Sequence, residues 1–351
     1  MKIEPYLKLM VEKDASDLFF TPGAPVKIKI EGRISSIGKT ELNAESCRAA
    51  VYSTMSEEQI QAFQEEFELD FALSQSGIGR FRVNAFYQRG QPAMVLRHIK
   101  TDIPTLDGLG MPRVLADLIM NKRGIILMVG ATGSGKSTTL AAMINQRNEN
   151  ASGHIVTIED PIEFVHRHKK SLINQRELGI DTKSYQRALR SVLREAPDVI
   201  LIGEVRDRDT MESTIQLAGT GHLAISTLHA NNAYQAMQRI RNMFPQEMHR
   251  QLYQDLATDM RAIISQRLVR GRDGRRVAAV EILINTPYVS ELIQEGRLSD
   301  IREAMENSSE GGTQSFDNSL LQLYRAGKIE MDEALANADS SANLQARISF
   351  G

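Results

Sequence analysis

The strongest constraint in this sequence is one octapeptide: Gly130-Ala131-Thr132-Gly133-Ser134-Gly135-Lys136-Ser137. It follows the apolar run 124–130 and precedes a helical stretch that opens at Thr138. Strand, glycine loop and helix in that order specify a phosphate-binding loop. The glycines let successive backbone N–H groups turn toward an anion, and the helix start adds the positive end of its dipole. Residues Gly130 to Thr138 are therefore expected to hold ATP. Lys136 reaches the β- and γ-phosphates, and Ser137 holds Mg²⁺.

Such a loop belongs at the end of a buried parallel strand, and the sequence supplies more of them. Apolar runs at 155–159, 199–204 and 223–228 alternate with helical stretches, the pattern of βαβ units. In open parallel sheets the ligand sits beyond the C-terminal strand ends. Glu159, Asp160 and Glu163 follow one run, Glu204 closes the next, and His229 follows the last. Phosphoryl transfer to water needs a carboxylate that polarises the water and an acid near the metal. Glu163 and Glu204 are the candidates, with Glu204 binding Mg²⁺ partly through water. Gly203 stands where many P-loop ATPases carry a metal-binding aspartate. His229 is placed to sense the γ-phosphate. His222 flanks the other end of the same strand, more than about 20 Å away, and suits a structural or subunit-contact role.

The N-terminal part has a different grammar. Residues 6–13 read as helix, 25–31 as a strand with one wet face, and 46–67 as helix. Alternation at 67–73, 80–88 and 93–99 indicates short antiparallel strands. If Gln88-Arg89-Gly90-Gln91 is a symmetric turn, Arg82 faces Arg97. Like charges directly opposite are unfavourable in a sheet, so the pair invites either an anion or solvent. The anion reading is the γ-phosphate of a neighbouring subunit. Residues 100–113 carry two prolines and two glycines and read as a linker. The expected organisation is a domain at 1–99, a linker at 100–113, and an ATPase domain at 114–351. After about 277 the pattern becomes helical and polar, giving a helical C-terminal segment over about 285–351.

Composition excludes some alternatives. The formal charge is −2, from 42 Lys and Arg against 44 Asp and Glu, which disfavours a nucleic-acid motor. The basic stretch 270–276 contains an Asp-Gly turn and reads as a soluble hairpin. The single cysteine, Cys47, rules out an internal disulfide or a multi-cysteine zinc site. No apolar run approaches the ~20 residues of a membrane span, which points to a cytoplasmic protein.

Six motifs together resemble one family. They are Leu9-Met10-Val11-Glu12-Lys13 with Ser16-Asp17-Leu18, Gly79-Arg80-Phe81-Arg82-Val83-Asn84, the phosphate loop, Thr157 to Phe164, Asp198 to Val205, and Gly221-His222 with Thr227 to Asn231. The chain is similar over nearly its whole length to the secretion-type hexameric ATPases, specifically the PilT/PilU family of type IV pilus retraction ATPases. The resemblance implies an α/β fold with a PAS-like N-terminal domain and a RecA-like domain in a homo-hexamer. It implies Glu163 as general base, Glu204 as metal and water partner, His229 as sensor, and Arg82 and Arg97 reaching nucleotide across a subunit boundary. It further implies pilus retraction (twitching motility) from the cytoplasmic face of the inner membrane. The expected partners are the pilus platform protein and the principal retraction ATPase, PilT; nucleic acid is not expected. The stretch 288–295 lacks the two arginines and the asparagine of the principal retraction ATPases. The tail 332–340 and the run 203–207 resemble the accessory members of the family, and a ring that needs PilT for activity is the alternative.

Overall fold

Antiparallel pairing of short alternating strands builds the N-terminal unit of the computed structural model, which describes residues 2–30, 32–99, 102–308 and 311–350. This unit comprises Met1–Asp102 and Glu163–Val165. Its elements are α1 (Glu4–Glu12), β1 (Asp17–Phe20), β2 (Lys27–Ile30), β3 (Arg33–Ser36), α2 (Ala44–Tyr52), α3 (Glu57–Glu66), β4 (Glu68–Gln75), β5 (Gly79–Gln88) and β6 (Gln91–Ile99). The sheet order is β3-β2-β1-β6-β5-β4, antiparallel throughout. Phe81, Val83 and Ala85 on β5 are fully buried, whereas Arg82 and Asn84 between them are not. The period of two thus sorts core from surface.

Where one helix is expected over 46–67, two form. Ser56 caps α3 by accepting from Gln59 N at 3.3 Å, and the Gln59 side chain accepts from Ser56 N at 2.9 Å. This reciprocal box satisfies two helix-start donors and fixes a new start at Glu57.

The second unit comprises Ile103–Ile162 and His166–Gly351. It runs α4 (Val114–Leu118), β7 (Gly124–Val129), α5 (Lys136–Asn150), β8 (Gly153–Glu159), β9 (Ser171–Glu177), α6 (Tyr185–Val192), β10 (Val199–Ile202), α7 (Arg208–Gly219), β11 (Leu223–Leu228), α8 (Ala233–Met243), α9 (His249–Asp259), β12 (Met260–Arg270) and β13 (Arg276–Ile284). The helices α10 (Pro287–Gln294), α11 (Ile301–Asn307), α12 (Phe316–Arg325), α13 (Met331–Ala336) and α14 (Ser341–Phe350) complete it. The sheet order is β13-β12-β7-β11-β10-β8-β9. Every neighbouring pair is parallel except β12–β13. Central β7 is buried on both faces: Ile125, Leu127 and Val129 enter one core, Ile126 and Met128 the other. That is why the strand reads as an unbroken apolar run.

Two expectations need correction. Lys100 and Thr101 of the expected linker lie outside the described residues, but Ile103–Arg113 belongs to the second unit, where Leu106 and Met111 are buried. Apolar side chains at that spacing outweigh the proline and glycine signals. Residues 277–284, expected to be helical, form most of β13, held in register with β12 from Arg276 to Ile284. Among the described residues no helix is long and apolar enough to cross a membrane.

Candidate active site

Parallel register brings the candidate residues of the second unit to one edge. Val129 aligns with Leu228, and Ile202 aligns with both Ser226 and Ile158. The phosphate loop, Gly203-Glu204, Glu159 and His229 therefore leave the sheet on the same side.

The loop is shaped by what its glycines exclude. A Cβ on Gly130 would stand 2.5 Å from Ser134 Oγ and 2.6 Å from Gln266 O. Gly133 and Gly135 have φ of 79° and 87°, a region side chains disfavour. Gln266, on β12, clamps the loop from below. Its Nε2 donates to Ser134 O at 2.8 Å, and Thr139 Oγ1 donates to its Oε1 at 2.8 Å. Gln266 is a site residue that sequence reasoning misses, because a lone glutamine in a strand carries no motif. Lys136 Nζ donates to Gly130 O at 2.7 Å and Ala131 O at 2.9 Å. Burial holds its ammonium below the usual lysine range, and the Glu204 carboxylate acts in the opposite sense. A cavity of about 320 Å³ opens beside the loop, lined by Gly130–Ser134 together with Asn231, Arg267, Leu268, Arg276 and Asn337. That volume suits a small-molecule ligand.

Glu204 joins an imidazole and a guanidinium. Its Oε1 lies 3.1 Å from His229 Nε2 and its Oε2 accepts from Arg206 Nε at 2.6 Å. The carboxylate is 14% exposed, whereas His229 is 40% exposed. Arg206 is a second missed residue; its signal is the Glu-x-Arg spacing, which suits an extended segment. The turn is pinned to β11 by Thr227 Oγ1 donating to Gly203 O at 2.6 Å and Val205 N donating to Thr227 O at 2.9 Å.

Gly203 has a steric explanation. A Cβ there would meet Tyr185 Oη at 2.8 Å, Glu159 Cα at 3.2 Å and Ile158 O at 3.2 Å. Two of these atoms are backbone and cannot swing away. Gly203→Asp, which installs the acid common in other P-loop ATPases, is expected to destabilise the fold by ~1–3 kcal/mol. A thermal melt beside wild type checks this; an unchanged melting temperature refutes the steric account.

The other acids separate. Glu159 Oε1 accepts from Thr157 Oγ1 at 2.6 Å and Gln175 Nε2 at 3.2 Å. Asp160 is exposed and precedes a cis peptide to Pro161. Glu163 is exposed and is counted with the first unit. His222 Nδ1 lies 3.1 Å from Leu217 O and 3.1 Å from Thr220 Oγ1, a local helix-end contact at the opposite strand end.

The fit to Mg²⁺ is that of an ion carried by phosphate. Ser137 is exposed, and its hydroxyl makes no hydrogen bond among the described residues. No group of three His, Cys, Asp or Glu side chains there can hold a metal unaided. The sequence expectation for that ion names Ser137 and Glu204.

Glu281 is a further missed residue. It lies on β13, and its Oε1 accepts from Ala233 N at 2.7 Å and Ser265 Oγ at 2.9 Å, anchoring the start of α8 just after the His229 loop. Burial pushes its carboxyl up to about 7, partly offset by those two donors. A raised carboxyl pKa means that the folded chain holds the proton more tightly. Its contribution is present at low pH and is lost as pH rises from about 4.5 to about 7. Glu281→Gln is therefore expected to gain about 2 kcal/mol on wild type between pH 5 and pH 7.5. Denaturant titrations at both pH values test it; equal pH slopes refute it.

In the first unit, Arg82 and Arg97 are directly opposite on β5 and β6, the register the symmetric turn predicts. Carboxylates already attend both. Arg97 Nε donates to Asp17 Oδ1 at 2.9 Å, and Arg82 Nη2 lies 3.6 Å from Asp70 Oδ2. Asp17 is 4% exposed and also receives Ser16 Oγ at 2.8 Å, whereas the Arg97 side chain is 60% exposed. The like-charge pairing thus needs no bound anion to be tolerated. A buried acid holds an outward-reaching arginine.

Comparison with known proteins agrees with this architecture. Residues 2–334 match the model of the type II/IV secretion system protein family. The chain belongs to that family. It is 50% identical over its whole length to the type IV pilus ATPase PilU of Pseudomonas aeruginosa, covering 92% of that protein. It is 39% identical over 98% of its length to the whole of the retraction ATPase PilT of the same organism. The crystal structure of the pilus retraction motor PilT with bound ADP superimposes with a TM-score of 0.92, at 41% identity, over 98% of this chain and 99% of that one. The expected α/β fold with a RecA-like second domain holds, and ATPase is the activity class of these relatives.

Proposed function

We propose that this chain is an ATP-hydrolysing motor of type IV pilus retraction, of the accessory PilU type. It works as a ring of six copies at the cytoplasmic face of the inner membrane. The observation that carries this reading is the complete phosphate loop ending in Lys136, facing a Glu204 that bonds His229. The likeness to PilU over the full length supports the pilus assignment.

Each residue has a task in that reading. The loop residues Gly130 to Thr138 bind ATP, and Ser137 and Glu204 would hold a Mg²⁺ that would supply charge neutralisation. Glu163 polarises the attacking water. His229 senses the γ-phosphate and reports through Glu204. Arg82 and Arg97 reach the nucleotide of a neighbouring copy, with Asp17 setting the Arg97 side chain. Residues 1–99 serve as the PAS-like domain and 114–351 as the ATPase domain.

One observation favours a dependent role beside PilT and the membrane platform protein. α10 keeps its buried side chains, Val289, Leu292 and Ile293, yet its exposed face carries Tyr288, Glu291, Gln294 and Glu295. The helix is preserved while the surface that principal retraction ATPases make basic is not.

Mg²⁺-dependent phosphate release by the purified chain, with oligomer mass measured in the same sample, tests the reading. Turnover by a hexamer is expected. A folded hexamer without turnover overturns a self-sufficient motor and moves the test to mixtures with PilT.

A further inference from the structure

Adjacent residues on β12 grip different things. Gln266 holds the phosphate loop. Arg267 faces the other way, as alternation along a strand requires, and its guanidinium gathers three segments. Nη1 donates to Asn337 O at 2.8 Å, and Nη2 donates to Asn231 O at 3.4 Å. Nη2 also lies 2.7 Å from Asp339 Oδ1, and Cζ sits 3.8 Å above the Phe316 ring. Asp339 is fixed in turn, because its backbone N donates to Asp317 Oδ1 at 2.8 Å. Asn231 is two residues beyond His229, and Asn337 lines the cavity beside the phosphate loop.

We propose that Arg267 is a positioning residue that makes the C-terminal helical segment one wall of the nucleotide pocket. The inference rests on the reading of the 130–138 loop as a nucleotide site. It adds that residues 337–339 belong to that site and are tied through Arg267 to the segment that follows His229. Only a planar fork stacked on an aromatic ring serves all these contacts at once; an ammonium on a flexible stem does not. The pair also differs from Arg272–Glu330, at 2.9 Å, which ties the β12–β13 turn to the start of α13 without touching Asn231 or Asn337.

ADP affinity, measured calorimetrically with Mg²⁺ on the full chain, separates the possibilities. Asp339→Asn, which frees the tail and leaves Arg267 in place, is expected to weaken ADP binding by about 5–10-fold. Arg267→Gln loses at least as much, and Arg267→Lys restores only part. Glu330→Gln is expected to stay within about twofold of wild type, since its bridge lies off the pocket. In hydrolysis the same variants raise KM for ATP more than they lower kcat. Folded Asp339→Asn with wild-type ADP affinity overturns the inference, as does equal weakening by Glu330→Gln, which makes tail attachment merely structural. If Arg267→Gln does not fold, Asp339→Asn carries the test alone. Wild type that fails to bind ADP overturns the nucleotide-site reading itself, a distinct result.

Discussion

Lys136→Ala is expected to lower ATP hydrolysis by about 10³-fold, to background, in a chain that melts at the wild-type temperature. Phosphoryl transfer leaves a protein little covalent chemistry; positioning and charge do nearly all the work. Lys136 is the cation of the loop, and among the described residues its ammonium donates to the carbonyls of Gly130 and Ala131. Removing it takes away the charge proposed to meet the γ-phosphate and leaves the buried sheet untouched. Phosphate release with and without Mg²⁺, read beside a thermal melt, decides the matter. Normal turnover in the variant excludes this loop as the catalytic centre.

Glu204→Gln is expected to lower kcat by about 10²–10⁴-fold while ADP affinity stays within a few-fold. The amide keeps the volume of the side chain but loses the charge that faces Arg206 and His229. Arg206 is 62% exposed, so water takes over its solvation and the fold loses little. In the proposed reading the metal and water position loses its anion, and His229 loses its contact with Glu204. If the two residues act as a unit, Glu204→Gln with His229→Gln is barely worse than the worse single change. Additive losses separate their roles. Unaltered kcat in Glu204→Gln removes it from the chemistry.

The legible parts of this chain are those fixed by short-range physics. The phosphate loop, its parallel strands and the Arg82–Arg97 register all follow from a strand period, a glycine pattern or a turn symmetry. What escaped depends on partners distant in sequence. Gln266 matters because it lies beneath residues 134 and 139, more than a hundred positions earlier. Arg206 and Glu281 matter for what faces them after folding. Residues 277–284 read as helix in the sequence because their mixture of alanine, valine and glutamate suits either state, and pairing with β12 decides it. Residues 103–113 read as linker because proline and glycine are visible in a string, whereas the core that takes up Leu106 and Met111 is not.

The Lys136 bonds to Gly130 and Ala131 bear on how such a site turns over. With its ammonium already satisfied by loop carbonyls, nucleotide arrival is an exchange of partners rather than the capture of a free charge. The lysine thereby ties the two ends of its own loop together, and the curve that would cradle an anion is already drawn before any anion enters it.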